Sequence, residues 1–449
     1  MSFITDKQTL DDLNIFGKRG HNSVYALFNR TGTRGGAELL EQMFRYPLDN
    51  ADAINRRSGI IRFFQQSKTQ FPFRSDWFDA AEHYLSNTDD RSRLGGETDS
   101  LGRKFRSMIG SDTEYELLHK GASAVHHILC NLKDFAASIK SAADGTPYKQ
   151  ELDEMTKLLE AEELQPAFKI KPGNKLSFQD TSFLDKLLRF QQIDKVKKLL
   201  YYIYNLDVYI SVANVATARN FVFPEALETS LHTIRITNVY HPHLEGAVPN
   251  SITITPDSNI IFLTGANMAG KSTFMKSLGI ALFLAHMGFP VAAEKMEFSV
   301  REGLFTTINL PDNLNLGYSH FYVEVLRVKK MAEFLRQGKN LFIIFDELFR
   351  GTNVKDAYEA TVAITGAFAK KRNCMFIVST HIMEAGDTLR EMHKNIRFLY
   401  LPTKMNGTHP YYTYTLEEGI TADRHGMIII NNEGILDILK KGLTETPVK

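Results

Sequence analysis

The stretch Ile260-Ile261-Phe262-Leu263-Thr264-Gly265-Ala266-Asn267-Met268-Ala269-Gly270-Lys271-Ser272-Thr273 decides how this chain folds. Four apolar residues read as a buried strand, a glycine-rich turn follows, and from Lys271 to Met287 the pattern becomes helical. Between Gly265 and Ser272 the turn has the form G-x-x-x-x-G-K-[ST], in the strand–loop–helix setting a phosphate-binding loop requires. Its glycines permit a tight turn whose backbone N–H groups face phosphate oxygens. Lys271 supplies positive charge for β- and γ-phosphates, the Ser272 hydroxyl is a ligand for Mg²⁺, and the helix that follows presents its positive end at the same point.

Downstream, Leu341 to Phe345 and Met375 to Val378 are further short apolar runs that read as strands, alternating with helical patterns over Phe321 to Arg336 and Lys355 to Lys371. That order predicts βαβ units around a parallel sheet, with ligands at the C-terminal strand ends. The run Leu341-Phe342-Ile343-Ile344-Phe345 ends in Asp346-Glu347. Asp346 is placed to hold the Mg²⁺ shell, and Glu347 to orient and deprotonate an attacking water. The third strand ends in Ser379-Thr380-His381, which makes His381 a candidate contact for the γ-phosphate or the water.

The first 230 residues differ in texture. Apolar residues recur there at three and four, most clearly from Ser182 to about Arg219, where Val196, Leu199, Leu200, Ile203, Leu206 and Ile210 form one stripe. Asp180, Thr181 or Ser182 could cap its start, and a helix of this length would reach roughly 55 Å. Breakers at Gly145-Thr146-Pro147 and Pro172-Gly173-Asn174 divide the material before it. The expected fold is therefore mixed: an N-terminal all-α domain over residues 1–230, then an α/β phosphate-loop domain over 231–449.

Composition excludes several classes. Of 449 residues, 43% are apolar and 23% charged, as in ordinary globular proteins. With 53 Lys plus Arg against 52 Asp plus Glu, bulk charge does not advertise a nucleic-acid binder, so any such contact must come from a local patch. Two cysteines, Cys130 and Cys374, exclude a disulfide framework and fit a reducing cytoplasm. The N-terminus lacks the apolar core of a signal peptide, and Leu278 to Ala293, with His286 and Pro290, reads as a buried helix rather than a membrane span. His241-x-His243 and His126-His127 lack the neighbouring ligands of a zinc site. The clusters Arg103-Lys104-Arg106 and Lys195-Lys197-Lys198 read as solvated helix faces before phosphate contacts, and Trp77 as core before a base-stacking platform.

Taken together these segments resemble the MutS family of mismatch-repair ATPases. The family loop TGPNMGGKST is matched by TGANMAGKST from Thr264 to Thr273, and its DEIGRGT by Asp346-Glu347-Leu348-Phe349-Arg350-Gly351-Thr352. Its STFMVEM appears as Ser319-His320-Phe321-Tyr322-Val323-Glu324-Val325 after Asp312-Asn313-Leu314, its TH as Thr380-His381, and the His-Pro opening its ATPase domain as His241-Pro242. Upstream, Leu27-Phe28-Asn29-Arg30-Thr31 to Gly35-Gly36 looks like the start of the family core domain, and Leu206-Asp207-Val208 to Pro224 like its final lever helix.

The resemblance implies a homodimeric ATPase using ATP and Mg²⁺ at composite sites. Ser319 would reach the partner's γ-phosphate, Asn267 and Thr273 would line the nucleotide site, and Tyr414 would stack on the purine in place of a family histidine. The helical levers would clasp DNA, with repair or ribosome partners as further expectations; the alternative is an ATPase acting on a protein or ribonucleoprotein assembly. Some positions depart from the family. The phenylalanine expected to complete the purine sandwich aligns near Ala247, leaving Tyr240 as a substitute ring. Phe349 stands where the family has a glycine, at the expected dimer contact, and His425 replaces a tyrosine near the C-terminal dimerisation element. The early start of the core-like segment leads to the expectation that the family's mismatch reader and connector are not encoded, and no Smr nuclease domain is expected at the other end. A transporter motor is disfavoured because no LSGGQ-like signature lies between the loop and Asp346. A small-molecule kinase is disfavoured because Asp346-Glu347 suits water activation.

Overall fold

Strand register explains how distant motifs come to one edge. A computed structural model describes residues 3–17, 22–89, 92–94, 113–171, 176–308, 320–406, 409–421, 434–436 and 438–439. Its strands are β1 (Glu225–Leu227), β2 (Ile234–Val239), β3 (Asn250–Ile254), β4 (Ile260–Gly265), β5 (Lys295–Ser299), β6 (Gly303–Thr307), β7 (Leu341–Phe345), β8 (Met375–Ser379), β9 (Ile396–Leu401), β10 (Thr403–Asn406), β11 (His409–Tyr412) and β12 (Glu417–Glu418). A six-stranded sheet runs in the order β12-β9-β4-β8-β7-β6, parallel except for β12. The helices Lys271–His286, Val354–Ala369 and Met383–Met392 follow β4, β7 and β8, as the alternating pattern predicts. Phe345, Phe368 and Phe376 stack within this core, with centroids 5.7 and 4.6 Å apart. A second sheet of order β1-β5-β2-β3 is mostly antiparallel, and β10 pairs with β11 as a hairpin. The helix-rich region thus precedes a mixed α/β region, which is the fold class the sequence implies.

Compactness does not divide the chain at residue 230. One unit comprises Met1–Ala26, Tyr46–Asn55 and Arg219–Lys449; the other comprises Leu27–Arg45 and Arg56–Ala218. The reason lies in the N-terminal segment, whose polar groups are used by the α/β sheet. Ile4 bridges Gly303 in parallel, extending the sheet beyond β6. Asp6 caps the helix Lys7–Asp12 by accepting from Thr9, and pairs with Arg327 and Lys330 on the helix His320–Arg336. Buried Asp12 accepts from the Thr306 hydroxyl at 2.7 Å and the Ile308 N–H at 2.9 Å.

The helical unit is organised by two buried carboxylates. The expected single long helix is interrupted: Phe178–Leu184 is followed by a π-helical stretch, Asp185–Gln191, and then by Ile193–Arg219. Ser177, rather than a residue at 180–182, caps the start in a reciprocal pair with Asp180. The irregular stretch carries Arg189 and Asp185, both fully buried and joined by two bonds of 2.8 and 3.0 Å. Tyr84 and the Leu94 N–H also donate to Asp185, while Arg189 reaches Asn87 and Ser92, so the ion pair is fully hydrogen-bonded. The stripe from Val196 to Ile210 is buried as the periodicity predicts. Asp207, on the same helix, accepts from the Gly32 and Thr33 N–H groups and the Thr33 hydroxyl, tying the two ends of the core-like sequence together. Arg103, Lys104, Arg106 and the breaker Pro172-Gly173-Asn174 lie outside the described residues; Lys195 pairs with Glu163 at 3.0 Å. Among the described residues no helix is long and apolar enough to cross a membrane.

Burial works to raise the Asp6 carboxyl, but Arg327 and Lys330 outweigh it and hold the group well below the usual carboxylate range. The stabilisation is therefore present above about pH 4 and lost as pH falls toward the folded-state value. Asp6→Asn should lower stability by about 1–3 kcal/mol at pH 7, and the gap from the unsubstituted chain should narrow below pH ~4, as read by urea denaturation across pH.

Candidate nucleotide site

The turn from Gly265 to Gly270 is held open by backbone geometry that few residues adopt. Met268 has φ +70 and Gly270 φ +100. The positive φ favours glycine at 270, and a Cβ there would also crowd the Tyr414 ring at 3.0 Å. The helix starting at Lys271 leaves its first amide groups without intrahelical partners, facing the turn. Lys271 is 5% exposed, and its ammonium donates to the carbonyls of Gly265 at 2.8 Å and Ala266 at 3.2 Å. Burial pulls its pKa below the ordinary lysine range against the opposing attraction of Asp346 and Glu347.

Because β8 lies between β4 and β7, the ends of the three strands meet in one hydrogen-bond chain. The Ser272 hydroxyl donates to Asp346 Oδ2. Ser379, at the end of β8, donates to Asp346 Oδ1 at 2.6 Å and accepts from the Glu347 N–H at 3.0 Å. Glu347 Oε1 lies 2.8 Å from His381 Nε2, and Arg350 Nη1 donates to Glu347 Oε2 at 2.8 Å. The His381 hydrogen bond, with Arg350 beside it, holds the Glu347 carboxyl down to about 2 against burial. Glu347 itself has φ +54 and Phe349 φ +63. At Phe349, where the MutS resemblance sets a glycine, an αL backbone thus carries a bulky ring, which is buried against Phe321 at 5.7 Å.

A cavity of about 560 Å³ extends from the turn, lined among others by Asn267, Lys271, Ser272, Thr273, Glu347 and Tyr414. Ala247 lines it as well, with Leu244 and Val248, so the lining that holds the Tyr414 ring also holds aliphatic groups. Tyr240, the substitute ring expected from sequence, is not among the cavity's lining residues; it belongs to a neighbouring depression and packs near Phe221. Asn250 fixes the Tyr414 segment by donating to the Tyr414 carbonyl at 2.9 Å and accepting from the Leu416 N–H at 2.7 Å. A smaller cavity of about 140 Å³ is lined by Ser272, Thr307, Ile308, Glu324, Asp346, Glu347 and Arg350.

The structure therefore gathers Gly265, Asn267, Gly270, Lys271, Ser272, Thr273, Tyr414, Asp346, Glu347 and His381 around one edge of the sheet. Ser319, Asp312-Asn313-Leu314 and His425 lie outside the described residues. Sequence reasoning gave no role to Asn250 or Ser379. Asn250 has no motif around it, and the strand it begins shows only in the structure. Ser379 stands in the quoted strand end Ser379-Thr380-His381, and that position was the available signal. His241 and His243 lie beside one another, with His241 drawn down to about 4, first by burial. Among the described residues no group of three or more His, Cys, Asp or Glu is set out to hold a metal ion. A hydroxyl and a carboxylate already in contact, Ser272 and Asp346, are an oxygen donor pair of the kind Mg²⁺ takes together with phosphate oxygens.

Two family descriptions match this chain, MutS domain III over residues 8–213 and MutS domain V over residues 261–441. Among similar curated proteins, the DNA mismatch repair protein MutS of Petrotoga mobilis is 26% identical over 430 residues, which is 87% of this chain and 51% of that protein. The DNA mismatch repair protein MutS of Clostridioides difficile is 32% identical over 270 residues, 58% of this chain and 27% of that protein. That of Fusobacterium nucleatum is 30% identical over 250 residues, 54% of this chain and 27% of that protein. The chain spans about half the length, or less, of these relatives.

Asn250→Ala should free the Tyr414 segment and weaken binding of a fluorescent ATP analogue by roughly 3- to 30-fold, the loss of one or two hydrogen bonds. Thermal stability should change far less than affinity.

Proposed function

The chain belongs to the MutS family, its core and ATPase domains together covering most of its length, and from that premise we propose that it is an ATP-hydrolysing, DNA-binding protein of repair. We propose further that two copies bind ATP between them and that closure of this seam moves the helical domains on a clasped substrate. The observation that carries the reading is the chain Ser272–Asp346–Ser379–Glu347, which puts a phosphate loop, an oxygen donor pair and an ionised carboxylate within one another's reach.

Each residue then has a physical task. The turn amides and Lys271 bind the β- and γ-phosphates, so Lys271 exchanges the Gly265 and Ala266 carbonyls for phosphate oxygens. Asn267 and Thr273 line the site, and Tyr414 offers a flat face to the purine against the aliphatic wall of Leu244, Ala247 and Val248. Ser272 and Asp346 would hold Mg²⁺, which when bound neutralises charge on the phosphate oxygens. Glu347 orients a water whose oxygen attacks the γ-phosphorus as the bond to the β–γ bridging oxygen breaks; the water's proton passes to Glu347. His381 fixes the orientation of that carboxylate. Ser319 of one copy, donating to the γ-phosphate held by the other, makes turnover depend on dimerisation.

Lys271→Ala should raise the Kd for ATP by on the order of 10²-fold; unchanged affinity removes Lys271 from the phosphate contacts. Glu347→Gln should keep ATP binding and slow turnover by on the order of 10² to 10⁴, measured as single-turnover phosphate release. Binding to duplex, branched and single-stranded DNA with ATP over a salt series should show affinity that falls as salt rises. No binding at low salt would shift the reading to a protein or ribonucleoprotein substrate.

A further inference from the structure

Both oxygens of the Glu347 carboxylate are engaged: Oε1 by His381 and Oε2 by Arg350. Each oxygen keeps a further lone pair, but a water approaching Oε2 has to compete there with a charged donor whose bond is the stronger. Arg350 is the more exposed of the two, its side chain 64% accessible against 40% for His381. The bond it makes to Glu347 uses one N–H of a guanidinium that carries five.

A second carboxylate faces the same small cavity. Glu324, in the early turns of the helix His320–Arg336, is 7% exposed, and its Oε2 is fully buried without a hydrogen-bond partner. The backbone N–H groups of Arg350 and Gly351 point at the group, and it shares the lining of the 140 Å³ cavity with Ser272, Asp346, Glu347 and Arg350. Burial pushes the Glu324 carboxyl up to about 7 with Arg350 opposing it, so a cation brought against the unused oxygen is what keeps the group charged. Arg350 is the guanidinium that lines this cavity, and it already feels the attraction of Glu347, Glu324 and Asp346 in that order of strength.

We infer that Glu324 is a positioning residue for hydrolysis: it draws Arg350 off Glu347, which clears the Oε2 side of that carboxylate for the attacking water. This rests on the assignment of Glu347 as the base. In the arrangement seen, Arg350 masks the base; in the working arrangement it pairs with the buried Glu324. Packing gives the exchange a trigger. A Cβ on Gly351 would stand 2.6 Å from the Phe321 N and 2.8 Å from the His320 Cβ, so the start of the helix rests directly on the Arg350-Gly351 loop. A movement of that helix start would therefore shift Glu324 against the loop that carries Arg350.

The test is steady-state ATP hydrolysis by the full chain, with kcat and KM resolved separately, for Glu324→Gln, Arg350→Ala, the double variant, and Glu347→Gln. Glu324→Gln preserves shape but offers Arg350 no charge; kcat should fall roughly 10-fold with KM within about 2-fold. Arg350→Ala should raise the basal rate about 3- to 10-fold, because the mask is gone. The double variant should follow Arg350→Ala, so that deleting Arg350 rescues the Glu324→Gln defect, which loss of a merely structural carboxylate would not allow. Wild-type turnover in Glu324→Gln, or a double variant as slow as Glu324→Gln, overturns the inference. If Glu347→Gln is slow while Glu324→Gln is normal, this inference alone fails; if Glu347→Gln turns over normally, the base assignment fails with it. Should Glu324→Gln not fold, Arg350→Ala decides by itself, and a basal rate below wild type overturns the exchange.

Discussion

The α/β unit depends on one short hydrogen-bonded row, in which Ser272, Asp346, Ser379 and Glu347 join the ends of three neighbouring parallel strands. The row exists because β8 pairs with β4 on one side and β7 on the other, setting Leu263 opposite Ser379 and Phe345 opposite Val378. With those registers fixed by fully buried strands, the residues just past the strand ends have little choice of neighbour. A one-residue slip in β8 would turn Ser379 to the other face and leave Asp346 and Glu347 uncoupled.

Around that row the structure holds backbone conformations that would not persist alone. Met268, Gly270, Glu347, Phe349 and Tyr414 all have positive φ, and all line or flank the site. Each non-glycine case costs on the order of 1–3 kcal/mol and is kept by tertiary contacts: the Glu347 N–H bond to Ser379, the burial of Phe349, and the Asn250 clamp beside Tyr414. Strain concentrated around the proposed nucleotide site is consistent with a site built in advance of its ligand.

The N-terminal segment shows the same economy at the far edge of the sheet. Asp12 holds Thr306 and Ile308, while the neighbouring Thr307 carbonyl accepts the Asp346 N–H at 2.9 Å. Thus residues from the first turn of the chain fix a strand whose end lines the small cavity beside Asp346. A division of the chain at residue 230 misses this, because a six-residue helix with no motif gives no sign of the sheet it serves.

What the sequence by itself determined is local. The glycine-rich loop from Gly265 to Ser272, the Asp346-Glu347 strand end, the three buried strands and the apolar stripe from Val196 to Ile210 are contiguous or periodic, so their residue types report their own backbone geometry and burial. Tertiary structure alone decided the partners: Asp12 with Thr306, 294 positions apart; Asn250 with the Tyr414 segment, 164 apart; Glu324 against Arg350; and the π-helical break around the buried Arg189–Asp185 pair. A hydrogen bond between distant residues leaves no period in either segment. It is specified only when burial removes water as the competing partner, and burial is a property of the packed chain.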